Sequence, residues 1–150
     1  MNRKKNKTAI WIMVIVLAIG WAGCQFIRND ELNQAALAGN SKRTTELLRK
    51  GAYVNGRGMH GMTPIMSAAR GGHLTIVEQL VEQGAEVNSH SESGSTLMWA
   101  VDSGNEELVS YLLRSGADIR WTNALGITAA DFARKQNRTN VLRVLEAWEK

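Results

Sequence analysis

The stretch GMTPIMSAARGGHLTIVEQLVEQGAEVN, Gly61 to Asn88, reads as two short helices, each closed by a glycine. Thr63 is placed to cap the first helix with its hydroxyl, and Pro64 suits the first helical turn, where a missing N–H costs nothing. Ala68 and Ala69 are small enough for two helices to approach closely. Gly72 is expected to end that helix with φ > 0. Leu74, Val77, Leu80 and Val81 then recur at helical spacing as one apolar stripe. Gly84 ends the second helix in the same way, Val87 starts an extended segment and Asn88 opens a polar loop.

The unit is written more than once. LVEQGAEVN (Leu80–Asn88) has near copies in LLRKGAYVN (Leu47–Asn55) and LLRSGADIR (Leu112–Arg120). Gly51, Gly84 and Gly116 are 33 and 32 residues apart, and Gly39, Gly72, Gly104 and Asn137 are 33, 32 and 33 apart. Two independent landmarks with one period mark a repeat architecture. Residues 61–88 resemble the ankyrin repeat, whose pattern is G-x-T-P-L-H-x-A-A-x-x-G-H-x-x-x-V-x-x-L-L-x-x-G-A-x-V-N, and the resemblance extends over roughly 30–150. The copy at 32–55 lacks the Thr-Pro opening, the copy at 94–120 is one residue short near Thr96, and 126–150 resembles a C-terminal capping repeat. The resemblance implies an all-α solenoid of about four stacked helix–turn–helix units, at about 30–57, 58–90, 91–122 and 123–150, joined by projecting loops. Such a unit has an apolar face that only a neighbour can cover, so the units must stack. The last helix fits an end position, since it carries Arg143, Glu146, Glu149 and Lys150. The first helix is expected to begin near Asn29 or Asp30.

At 150 residues with 44% hydrophobic side chains, the chain supports one packed domain. Its formal charge of +4 is concentrated at the N-terminus, where Arg3, Lys4, Lys5 and Lys7 stand. From residue 24 onward there are fourteen basic and fourteen acidic residues, so the fold lacks the basic surplus of a nucleic-acid-binding domain. The basic tip is followed by AIWIMVIVLAIGWA and then Ala22-Gly23-Cys24, the three parts of a secretory signal. AGC resembles the lipobox of bacterial lipoprotein signal peptides, which implies cleavage before Cys24 and lipidation of its thiol. Trp21 stands where that box usually has leucine. The other reading is an uncleaved anchor over residues 8–27, about 20 residues and enough for ~30 Å of bilayer core. Either way residues 1–24 place the domain in the cell envelope, facing the periplasm or exterior, with membrane attachment by lipid or by the N-terminal helix. A tether over 25–29 spans at most ~18 Å when extended, which keeps the domain close to the membrane.

No catalytic constellation stands out. His73 occupies the Gly-His position of the repeat and is expected to make a structural hydrogen bond. His60 and His90 lie near loop tips. A shared metal ion is conceivable there, but no His or Cys pair stands at ligand spacing, so exposed loop histidines are the reading adopted. Neither metal nor cofactor is expected, and no enzyme activity. In the ankyrin family the loop tips and first helices usually bind protein. Mapping the family's variable positions selects Arg57, Met59, His60, Met62 and Arg70 in the second unit. It selects His90, Glu92, Ser95, Trp99 and Asp102 in the third, and Leu125 and Ile127 in the fourth. Trp99 is the foremost of these, because tryptophan is enriched among interface hot spots. Packing of Trp99 between the first helices of adjacent units is the competing reading. Met59 and Met62 offer adaptable apolar contact. The implied function is a membrane-tethered protein-interaction module, with an inhibitor or immunity protein, or an accessory subunit of an exported enzyme, as alternatives.

Overall fold

The computed structural model describes residues 23–149. The basic tip, the apolar run and the signal expected over 1–24 therefore lie outside the described residues, apart from Gly23 and Cys24, as does the anchor expected over 8–27 apart from 23–27, and so does Lys150. Residues 23–37 are helical (α1). There follow α2 (Ser41–Arg49), α3 (Pro64–Arg70), α4 (Leu74–Glu82), α5 (Thr96–Ser103), α6 (Glu106–Arg114), α7 (Ala129–Lys135) and α8 (Thr139–Trp148). A 3₁₀ turn spans Met59–Gly61. No strand is present among the described residues, and one isolated bridge joins His90 and Ser95.

The odd-numbered helices stack on one another as one row and the even-numbered helices form a second row behind them. The small residues set the spacing of the first row: Ala36, Ala68, Ala69, Ala100 and Ala133 are fully buried. The apolar stripes fill the space between rows, with Ile76, Val77 and Leu80 from α4 meeting Leu108, Val109 and Leu112 from α6 in one continuous core. A smaller cluster of Leu32, Ala35, Leu47 and Ala52 closes the N-terminal end.

Each helix pair turns at a residue with positive φ: Gly39 at 75°, Gly72 at 73°, Gly104 at 74° and Asn137 at 55°. The expected left-handed ends at Gly72 and Gly84 are present, the latter at 87°. Gly72's equivalent in the fourth unit is asparagine, one of the few L-residues that tolerates this region.

Hydrogen bonds tie each unit to the next at the helix turns, and the first three units also at the loop bases. At the helix turns, His73 Nε2 donates to the Leu37 carbonyl (3.0 Å), Asn105 Nδ2 to the Gly72 carbonyl (3.0 Å) and Asn140 Nδ2 to the Gly104 carbonyl (3.0 Å). His73 thus has the structural role expected of it. At the loop bases, Asn55 donates to the Gly84 carbonyl and accepts from the Glu86 N–H. Asn88 repeats this with Gly116 and Asp118.

Four local expectations need correction. Residues 25–29 are not an extended tether, and the first helix does not begin at Asn29 or Asp30, since both lie within α1. The reason is the loop-base ladder. Gln25 Nε2 donates to the Gly51 carbonyl (3.2 Å) and Asn29 Oδ1 accepts from the Tyr53 N–H (3.1 Å), so the extra helical turns supply what a preceding unit's asparagine would have supplied. Thr63 does occupy the N-cap of α3, with φ −91° and ψ 163°, but its hydroxyl makes no capping bond and is buried without a partner. Val87 begins no extended segment, because residues 87 and 88 form a turn closed by the Ser89 N–H donating to the Glu86 carbonyl (3.0 Å).

Candidate docking surface

The loops between units end in tight tips. In the first, the Gly58 N–H donates to the Met62 carbonyl (3.1 Å) and the Gly61 N–H back to the Gly58 carbonyl (3.2 Å). The reversal forces φ of 64° on His60 and 67° on Gly61, an uncommon conformation for a histidine. In the second, the Ser91 N–H donates to the Gly94 carbonyl (2.9 Å). In the third, Asn123 Oδ1 accepts from the N–H groups of both Leu125 (3.0 Å) and Ile127 (3.1 Å). The tips are joined to one another. Arg57 Nη1 donates to the Gly61 carbonyl (2.6 Å) in its own tip and to the His90 carbonyl (2.9 Å) in the next. The His90 ring stacks on Trp121 with centroids 5.4 Å apart, which joins the second tip to the third loop.

The one-residue deletion lies in the loop just ahead of Thr96, between Asn88 and Ser95. The N-caps Thr63, Ser95 and Thr128 have matching extended backbone, with ψ of 163°, 168° and 170°. Eight positions separate Asn55 from Thr63 and Arg120 from Thr128, but only seven separate Asn88 from Ser95. Trp99 is therefore the structural counterpart of Ser67, and Asp102 of Arg70. Counting on by one period reaches Phe132 and Lys135 in α7, and counting back reaches Gln34 and Leu37 in α1.

These positions form the wall facing the tips. The Arg70 guanidinium lies over the Trp99 ring at 5.0 Å, a cation–π contact across the second and third units. Trp99 packs partly into the core, so the competing reading of its role holds for one side of the ring. Its Nε1 is buried without a hydrogen-bond partner. A cleft of about 230 Å³ runs between wall and tip, with Gln34, Leu37, His60, Met62 and Arg70 among its lining residues. A second of about 480 Å³ lies between the first two tips, lined by Arg57, His60, Glu92 and neighbours.

The expected contact residues are placed unevenly. Arg57, His60, Arg70, His90 and Glu92 are exposed, and Leu125 is 80% exposed at the third tip. Met62, Trp99, Asp102 and Ile127 are half-buried. Met59 opens the 3₁₀ turn, and its side chain lies outside what the structure describes. Ser95 is a correction: it is 7% exposed and its hydroxyl accepts from the Met98 N–H to cap α5, so it is not presented to a partner. Gln34, Leu37 and Phe132 were missed, although the 33-residue period pointed to them. Leu37 is 43% exposed. Among the described residues no group of three or more His, Cys, Asp or Glu side chains is placed to hold a metal ion.

Fold and surface together define a short helical solenoid with a row of loop tips facing a wall of first helices. The family model for ankyrin repeats (3 copies) matches residues 32–123, and the chain belongs to the ankyrin-repeat family. It is 32% identical over 115 residues, 77% of its length, to a transient receptor potential cation channel subfamily A member 1 homolog of Caenorhabditis elegans, of which it covers 10%. It is 34% identical over 123 residues, 79% of its length, to ankyrin repeat and SAM domain-containing protein 6 of Mus musculus, of which it covers 14%. It is 34% identical over 128 residues, 83% of its length, to a probable E3 ubiquitin-protein ligase of Oryza sativa subsp. japonica, of which it covers 25%. The chain thus spans a quarter or less of these relatives, and what it shares with them is the repeat array. Ankyrin repeats are protein–protein interaction modules and in general non-catalytic.

Proposed function

We propose that this protein is a membrane-tethered docking module of a bacterial envelope that holds a protein partner between the loop tips and the first-helix wall. The observation that carries the reading is the Arg70–Trp99 pair at the centre of that wall, flanked by the cleft beside Met62 and His60. Tryptophan and arginine dominate interface energetics when they sit in a partly desolvated, prepositioned patch. The cation–π contact holds Arg70 in place before a partner arrives, which lowers the ordering cost of binding. The tether follows from the apolar run that precedes the exposed Cys24 in the sequence.

The test is site-specific photo-crosslinking in membranes of a bacterial host. A photoreactive residue at position 70 or 125 is expected to capture the same partner, and one at position 75 or 107, on exposed positions of α4 and α6, to capture none of it. Trp99→Ala should weaken the isolated complex by at least ~10-fold, the range of a hot-spot truncation. Equal capture from both faces would overturn the groove as the site. Release of the chain into the soluble fraction by alkaline carbonate would overturn the tether.

A further inference from the structure

The neutrality of the chain after residue 23 hides a division of charge. Residues 23–57 carry six Lys or Arg against three Asp or Glu, whereas residues 58–150 carry eight against eleven. The solenoid therefore has a positive first unit and a negative remainder. The positive unit is also the one that follows the apolar run. On it, Phe26 is 51% exposed, Ile27 60% and Tyr53 60%, three of the six large hydrophobic side chains that stay exposed among the described residues. Tyr53 is held to α1 through its N–H bond to Asn29, one turn beyond Gln25 and beside Phe26. Ile27 lines a cleft of about 270 Å³ with Cys24, Arg28, Glu31, Leu47, Arg43 and Lys50, in which Arg43 is paired with Glu31 and Glu46, and Lys50 with Glu46. Lys42 and Arg49 are also exposed on α2, Arg49 on the side that faces Glu82 of α4.

We infer that this end of the solenoid is a second interaction surface, whose partner is an anionic phospholipid bilayer. The inference rests on the tether proposed above. The helical rise from Gly23 to Leu32, the first buried core residue, is about 14 Å, so the exposed first turns of α1 lie within reach of the headgroups at the point where the apolar run leaves the bilayer. Apolar side chains among basic ones suit the interface between acyl chains and headgroups, and each basic group near an anionic leaflet contributes attraction. The acidic units are repelled by the same surface, so the solenoid stands on its first unit with the later units and their loop tips directed away from the membrane. The tether limits the chain to the membrane, and the charge division sets its orientation there.

The experiment is hydrogen–deuterium exchange on the full chain reconstituted in nanodiscs of phosphatidylcholine alone or with phosphatidylglycerol at about one lipid in three. Expected is slower exchange over 23–31 and 49–53 in the anionic discs only, with α6 and α8 unchanged. Lys42→Gln, Arg49→Gln and Lys50→Gln together should abolish the difference, since each neutralised charge lowers the docking constant about fivefold. Phe26→Ser, a substitution at an exposed position that leaves the charge in place, should also reduce it. A chain that is not retained by the discs overturns the tether and this inference together. An anchored chain with identical exchange in both lipids overturns the inference alone. Protection seen in native membranes but not in anionic discs would assign the surface to an acidic protein and overturn the lipid partner.

Discussion

Asn137 shows how one position in a repeat can depart from its copies without breaking them. Its φ of 55° matches the glycines at 39, 72 and 104, and asparagine meets it through a short side chain that tolerates the left-handed region. Asn137→Gly should therefore leave stability unchanged or slightly raised, while Asn137→Val should cost about 1–2 kcal/mol in urea unfolding, because a branched Cβ crowds the backbone there. Gly39 is under a harder constraint, since a Cβ would stand 2.6 Å from Cε1 of His73, the ring that ties the second unit to the first. Leu80 is fully buried between rows, and Leu80→Ala should cost about 2–5 kcal/mol through lost burial and a residual cavity. These positions were legible in the sequence, because a residue type at a fixed period reports its own backbone and burial. The Thr63 hydroxyl was not, because whether a cap side chain turns toward the helix depends on what surrounds it.

Among the elements, α7 has the most complete start. Thr128 accepts from the Asp131 N–H (3.2 Å), and Asp131 accepts from the Thr128 N–H (3.2 Å) and hydroxyl (2.7 Å). Thr128→Ala should cost about 1 kcal/mol, the usual worth of such a cap, read as a lower urea midpoint at constant slope. The same bonds, led by the Thr128 hydroxyl and followed by its N–H, hold the Asp131 carboxyl below the ordinary aspartate range, with Arg134 adding to the effect. The folded pKa is below the unfolded one, so the stabilisation is present above the unfolded value of about 4 and is lost as pH falls through the folded value. Asp131→Asn should flatten that part of the acid limb in melts recorded from pH 5 downward. The helix α1 carries the opposite lesson. Its apolar periodicity marks a helix from about residue 30, but its first turns persist because Gln25 and Asn29 bond to the turn at residues 51 and 53, distant in sequence.

At the scale of the molecule, stability is shared unevenly along the stack. The helices α4 and α6 each bury a full stripe between neighbours, whereas α2 buries Thr44 and Leu47, and α8 buries Val141 and Leu145. Native-state hydrogen exchange should therefore show α8 and α2 opening at lower free energy than α4 and α6, as expected when each unit depends on the one beside it. The amino-acid sequence by itself determined the unit, the period, the number of copies and most of the buried positions, because each follows from residue types at short spacing. Only the tertiary structure decided which polar groups are turned outward along the tips and the wall. It turned Ser95 inward as a cap, set Arg70 over Trp99 from the neighbouring unit, and brought Gln34, Leu37 and Phe132 into the same wall. Those outcomes depend on how one unit lies against the next, and that geometry arises from packing between segments about 33 residues apart.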